Sequence, residues 1–270
     1  MTDTISAGAF RGSAPTSEND VRFSKVPEVA LGFWIIKILA TTLGETGGDA
    51  VTMSLNLGYA VGTLIFLAIF LGSVAIQVRA SRFNAYLYWL TIVATTTLGT
   101  TIADFVDRSL GVGYLGGSSI LLIAVFASLA VWRLSEGTVS VSTVATPRVE
   151  AFYWVTILFS QTLGTALGDW MADTNNLGYA GGALVFGAAI VLIAALYLFT
   201  QVSRVALFWT AFILTRPLGA TLGDLLDKPL SHGGFAVSRY GASLILAVLI
   251  IVLISALPQR AGVHPGAKSE

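Results

Sequence analysis

The stretch WIIKILATTLGETGGDAVTMSLNLGY, residues 34–59, begins apolar, turns polar at Thr41, reaches Asp49 and ends on Gly58-Tyr59. The same frame returns at residues 89–114 and 154–179 and, with one change at its end, from residue 209 onward. Aligned on Asp49, Asp104, Asp169 and Asp224, a tryptophan stands fifteen residues earlier in each copy: Trp34, Trp89, Trp154 and Trp209. A Leu-Gly pair ends five residues before each aspartate, and a glycine follows nine residues after it. The fourth copy departs in carrying Gly233 at that last place and Gly234-Phe235 one step on. Repetition at this period means that one supersecondary unit is stacked four times, and it must be recognised before any fold is assigned.

Each copy holds two apolar blocks. Those at 57–78, 115–132, 179–199 and 240–257 are apolar throughout, and each is close to the ~20 residues that cross a bilayer as a helix. Those at 29–43, 86–98, 152–167 and 205–218 are apolar and then become polar. With 55% apolar and only 11% charged residues, against roughly a quarter charged in soluble domains, the chain reads as all-α and membrane-embedded. The reading is eight transmembrane helices from four parallel two-helix repeats, in a pseudo-fourfold bundle or a twofold of twofolds. Residues 1–28 form a polar tail, 29–134 repeats one and two, 135–150 a linker, 151–258 repeats three and four, and 259–270 a second tail. The ten extra residues between the halves are the Ser/Thr/Val-rich stretch 135–146.

Arg11, Arg22, Lys25, Arg79, Arg82, Arg133, Arg148, Arg204, Arg260 and Lys268 fall on one side of such a bundle, against Arg108, Lys228 and Arg239 on the other. The side rich in Lys and Arg is cytoplasmic by the positive-inside rule, which puts both termini there. A net charge of zero gives no argument for a nucleic-acid partner, and the absence of cysteine removes thiol chemistry and disulfides. The expected partners are the lipid bilayer and a small cation, with an oligomer possible; no cofactor is expected.

The mixed blocks carry the chemistry. Residues four apart share a helix face, and that face reads Lys37, Thr41, Glu45, Asp49 in the first unit and Thr96, Thr100, Asp104 in the second. It reads Gln161, Thr165, Asp169, Asp173 in the third and Arg216, Ala220, Asp224 in the fourth, with Asp107 and Asp227 one turn beyond the aspartates of units two and four. A polar stripe inside a span must face protein or water. Four stripes brought together would line a central path, with Thr41, Thr96, Thr100, Gln161, Thr165 and Arg216 along it. Asp49, Asp104, Asp169 and Asp224 would bind the cargo, with Glu45, Asp107, Asp173 and Asp227 around them. Oxygen-only ligands suit hard cations such as Mn²⁺, Mg²⁺ or Ca²⁺, and protons. The four tryptophans read as interfacial belt anchors, the Leu-Gly glycines as close-packing residues, and the glycines of the even blocks as packing residues too. Lys37 reads as a side chain snorkelling to the cytoplasmic face, and Pro217 as a kink.

On the four tryptophans and the four Leu-Gly…Asp blocks the chain, from about Val29 to Leu257, resembles the bacterial membrane proteins built of four tandem two-helix repeats of unknown function. That resemblance implies this architecture and a bacterial inner membrane, and no activity. The blocks ending at Asp49 and Asp224 also weakly resemble a Glu-x-Gly-Asp motif of manganese and calcium exporters, but lack the Lys or Arg that follows it there. The expectation is a hard-cation transporter and not an enzyme. The alternatives are a non-transporting sensor or partner subunit and, further off, an intramembrane aspartyl hydrolase built on the Gly-Asp pairs.

Overall fold

The computed structural model describes residues 24–174 and 177–262. Eight long helices account for most of them: α1 Leu31–Asp49, α2 Gly58–Arg79, α3 Ala85–Asp104, α4 Tyr114–Glu136, α5 Pro147–Asp169, α6 Gly178–Phe199, α7 Arg204–Asp227 and α8 Arg239–Ala256. The described residues contain no strand. Six of the helices are long and apolar enough to cross a membrane; α1 and α5 fall short. The stripe is the reason, since α1 carries Lys37, Glu45 and Asp49, and α5 carries Arg148, Glu150, Gln161 and Asp169.

The odd helices form an inner ring in the order α1–α3–α5–α7, closed by α7 against α1. Each even helix packs outside the odd helix of the following unit: α2 on α3, α4 on α5, α6 on α7 and α8 on α1. Every outer helix therefore locks one repeat to the next, and α8 does so without a covalent link. The ends of the chain complete this closure. Ser24 and Glu28 donate backbone hydrogen bonds to Gly262 (2.9 Å) and Arg260 (2.8 Å), and Gly262 donates one back to Val26 (2.9 Å). Residues 24–28 and 260–262 thus lie together at one end of the bundle, the tail end.

Glycine holds the ring together. A Cβ on Gly44 of α1 would lie 2.3 Å from the Thr96 side chain of α3, and one on Gly99 of α3 2.9 Å from the Gln161 backbone of α5. On Gly164 of α5 it would meet Arg216 of α7 at 2.3 Å, and on Gly219 of α7 it would meet Thr41 of α1 at 2.2 Å. The same repeat position therefore packs against the same partner position at all four seams. These glycines allow close helix approach, the use small residues have inside membranes.

The glycines that begin the even blocks behave differently from the packing residues expected there. Gly58, Gly113, Gly178 and Gly233, nine residues after each aspartate, have φ of +76°, +75°, +64° and +82°, and a Cβ on any of them would touch nothing. They are turn residues, which lets the chain reverse at a conformation that side chains disfavour. One turn further, Gly62, Gly117 and Gly182 do pack, against Thr52, Asp107 and Thr221.

The linker is shorter than 135–150, because α4 runs to Glu136 and α5 begins at Pro147 behind a Thr146 N-cap. It is also held in place: Lys25 donates its backbone N–H to Val144 (2.7 Å) and Ser24 its hydroxyl to Val141 (2.7 Å). Helix α7 continues through Pro217.

Gly164→Ala is expected to cost about 1–3 kcal/mol by overpacking, whereas Gly72→Ala, where a Cβ meets nothing within 4 Å, should cost nothing. Thermal unfolding of both variants in detergent checks the contrast. Equal melting temperatures would mean that the seams are not close-packed.

Candidate functional site

The stripes face inward. At each i, i+4 step they give one layer across the ring, about 6 Å apart at 1.5 Å per residue. From the tail end these layers are Phe33, Tyr88, Tyr153 and Phe208; then Lys37, Ile92, Ile157 and Phe212; then Thr41, Thr96, Gln161 and Arg216. Above them lie Glu45, Thr100, Thr165 and Ala220, and finally the four aspartates. All of these are buried. Leu64, Ile123, Leu184, Val191, Leu244 and Ile245 of the outer helices are by contrast exposed. Apolar residues outside and polar ones inside are what a hydrocarbon solvent selects.

Arg216 crosses the centre. Its Nη2 lies 2.8 Å from Glu45 Oε2 on α1, 2.6 Å from Thr100 Oγ1 on α3 and 2.5 Å from Thr165 Oγ1 on α5. One guanidinium from α7 thereby touches the three other inner helices. An unpaired charge at this depth is costly, and the Glu45 carboxylate supplies the counter-charge.

At the aspartate layer the four equivalent positions separate into two pairs. Arg108 reaches Asp104 at 2.9 Å and Asp169 at 3.2 Å. Lys228 reaches Asp49 at 2.5 Å and Asp224 at 3.0 Å. Arg108 and Lys228 stand four residues after the aspartates of units two and four, where units one and three have Met53 and Asp173. Here the ring is a twofold of twofolds. Arg239 joins the second pair, 3.0 Å from Asp227 and 3.7 Å from Asp49. Burial by itself would lower the pKa of Lys228; Asp224, Asp49 and Asp227 outweigh it and raise the pKa, so the ammonium stays charged.

Three carboxylates converge closely. Glu45, Asp49 and Asp224 each place an oxygen within 4.8 Å of the other two, all buried. Asp104 and Asp169 are outside this triad, so the structure brings two of the four expected aspartates together with Glu45. Asp107 lies against Gly117, and Asp227 is held by Arg239. Asp173 is exposed and accepts a hydrogen bond from Tyr114 (3.0 Å). The first three aspartates do not end their helices: a π-helical turn continues each, at Ala50–Ser54, Phe105–Ser109 and Trp170–Thr174. Such turns inside helices are frequent at functional sites.

Two expectations from the sequence are corrected. Trp89, Trp154 and Trp209 are buried and form no lipid-facing belt, while Trp34 is half-buried against Phe33 and Phe208. They pack with Tyr88, Tyr153, Phe208 and Trp132, and Tyr88 and Tyr153 share a 2.6 Å hydroxyl hydrogen bond. The indole N–H of Trp89 reaches Gln259 (3.1 Å), and that of Trp209 reaches the Val139 carbonyl (2.9 Å). The aromatic layer thus seals the tail end. Lys37 does not snorkel: it is fully buried, its Nζ 4.2 Å from the ring centroid of Phe212. The inward role of the tryptophans left no trace in spacing, because belt and seal place them at the same depth. A basic residue four after the aspartate in alternate repeats is visible in the sequence; its bridge to the aspartate of the following unit is not.

Removing Lys228 leaves the carboxyl groups of Asp49 and Asp224 close together without the cation that bridges them. Lys228→Met is expected to cost about 3–5 kcal/mol, the scale for breaking a buried pair. Lys228→Arg keeps the positive charge and should recover most of that loss, and melting curves of the native protein and both variants test this. An equal deficit in the two variants would argue against the charge bridge.

No curated protein and no solved structure matches the chain. Residues 32–83, 87–138, 152–203 and 207–258 each match the family described as Repeat of Unknown Function (DUF347). These four segments cover the helix pairs α1–α2, α3–α4, α5–α6 and α7–α8 except for the first residues of each odd helix, and the chain belongs to this repeat family.

Proposed function

We propose that the chain is an eight-span integral membrane transporter of a hard cation, Mn²⁺, Mg²⁺ or Ca²⁺, coupled to protons on the same carboxylates. The observation that carries this reading is the buried triad of Glu45, Asp49 and Asp224, gathered from two inner helices and neutralised by Lys228 and Arg216. An all-oxygen cluster of this kind suits a hard divalent ion. A tethered ammonium across two of its members supplies counter-charge in the ion-free state. Lys228 can give way, because lysine is a single ammonium on a flexible stem; Arg108 is a planar fork that keeps its charge and holds Asp104 and Asp169 apart from the exchange. The ordered layers of hydroxyls and Gln161 below the triad are the route inward, and the aromatic layer is the gate at the tail end.

The basic residues at the tail end, Arg79, Arg82, Arg133, Arg148, Arg204 and Arg260, support a cytoplasmic placement of that end in a bacterial inner membrane. Apolar outer faces on all four even helices support the lipid bilayer as partner. An aspartyl hydrolase would need two carboxylates sharing one proton. Here each aspartate pair grips a cation instead, which favours a protein that is not an enzyme.

Proteoliposomes loaded with a metal-sensitive dye and given Mn²⁺, Mg²⁺ and Ca²⁺ in turn test the proposal. Flux of one ion is expected, with loss of roughly tenfold or more in Asp49→Asn and Asp224→Asn, since each removes a charged ligand. Asp173→Asn should keep native flux. Folded protein that moves none of these ions would sink the transport reading and favour a sensor or partner subunit.

A further inference from the structure

Below the triad the sign of the charge reverses. The two layers formed by Thr41, Thr96, Gln161 and Arg216, and by Lys37, Ile92, Ile157 and Phe212, contain two cationic side chains and no carboxylate. The next carboxylate is Glu45, one turn above, and Nη2 of Arg216 already engages it. Two basic side chains thus stand against one carboxylate, and Lys37 is left without a counter-charge. Lys37 Nζ has no hydrogen-bond acceptor among the described residues, and its charge meets only the Phe212 ring. The ring face is worth about 2 kcal/mol to a desolvated cation, too little to offset burial of an unpaired ammonium in a membrane interior.

The donors left over fit one kind of ligand. Nε and Nη1 of Arg216 and Nε2 of Gln161 are further donors without partners among the described residues, and Arg216, Gln161 and Lys37 are all fully buried. Gln161 lies one turn below Thr165, which Arg216 touches, so the free amide and the guanidinium are neighbours on the inside of the ring. Phe212 lies one turn below Arg216 and carries Lys37 on its face. Lys37 and Arg216 thus stand in adjacent layers with no carboxylate between them, an arrangement that a bound negative charge would stabilise.

We propose that these layers bind one small monovalent anion between Lys37, Arg216 and Gln161, at a site separate from the acidic triad. The anion balances the surplus charge, accepts from the ammonium and guanidinium, and takes a further hydrogen bond from the Gln161 amide. Its chemistry is that of a halide or of the carboxylate end of a small organic solute. This goes beyond the cation transport proposed above and needs none of the triad carboxylates, although Arg216 and Gln161 border both sites.

Thermal unfolding of the detergent-solubilised full chain tests it, titrating chloride, bromide, formate and acetate against gluconate at constant ionic strength. A saturable rise in melting temperature is expected, with Lys37→Met weakening the apparent affinity roughly tenfold or more through loss of a charged hydrogen bond. Should Lys37→Met not fold, Gln161→Leu makes the same comparison. A response to formate and acetate but not to halides assigns the site to a carboxylate. No response to any of the four, or one unchanged in the variants, overturns the proposal. Where halides act, bromide anomalous scattering from crystals of the native chain should show a peak between Lys37 and Gln161, and peaks only at the surface would overturn the site. Cation flux is read separately, so either reading can fail while the other stands.

Discussion

The close approach of four inner helices, allowed by glycine at one repeated position, governs everything else in the molecule. Gly44, Gly99, Gly164 and Gly219 each receive a side chain or backbone segment of the neighbouring inner helix. A larger residue there would push the helices apart by an amount that the ring cannot absorb, since all four seams are equivalent and closed. With the seams tight, the residues three and four places away have nowhere to point but inward. The stripe then becomes a stack of layers, and a single arginine on α7 is long enough to touch α1, α3 and α5 together.

That geometry explains why so much polarity survives in an apolar bundle. Hydrocarbon outside offers nothing to a hydroxyl or a carboxylate, so each must find its partner inside. Thr91, Thr95, Thr97 and Thr162 return their hydroxyls to carbonyls of their own helices. The carboxylates find Arg108, Arg216, Lys228 and Arg239. Charge is thereby sorted along the axis, with carboxylates in excess where the chain turns into the even helices and the basic side chains Arg216 and Lys37 two to three turns deeper.

Exact fourfold repetition would put four like charges in one plane. The alternation of units relieves this: units two and four supply a cation four residues after their aspartates, and each cation serves its own aspartate and that of the following unit around the ring. The price of that arrangement is that the four aspartates are not interchangeable. Arg108 locks one pair, while Lys228 and Arg239 hold the other beside Glu45, and this inequality sets the triad of Glu45, Asp49 and Asp224 apart from Asp104 and Asp169.

The architecture was largely legible in the chain. The period, the two blocks per unit, the inward stripe at i, i+4 and the small residue before each aspartate all follow from helical geometry and the cost of polarity in lipid. The tertiary structure alone decided how the units meet. Which helix faces which is set by contacts between residues as distant as Gly219 and Thr41, and no local pattern encodes them. The same holds for the tryptophans, since depth in a membrane is readable from spacing but direction around a helix end depends on what else is packed there. It also separated two kinds of glycine that look alike in the sequence: those of the seams, needed for their missing side chain, and Gly58, Gly113, Gly178 and Gly233, needed for a backbone angle. Finally, the pairing of charges was beyond the sequence. Eight acids and a handful of bases admit many pairings, and only the ring, by bringing α7 beside α1 and α3 beside α5, selects Lys228 for Asp49 and Asp224, and Arg108 for Asp104 and Asp169.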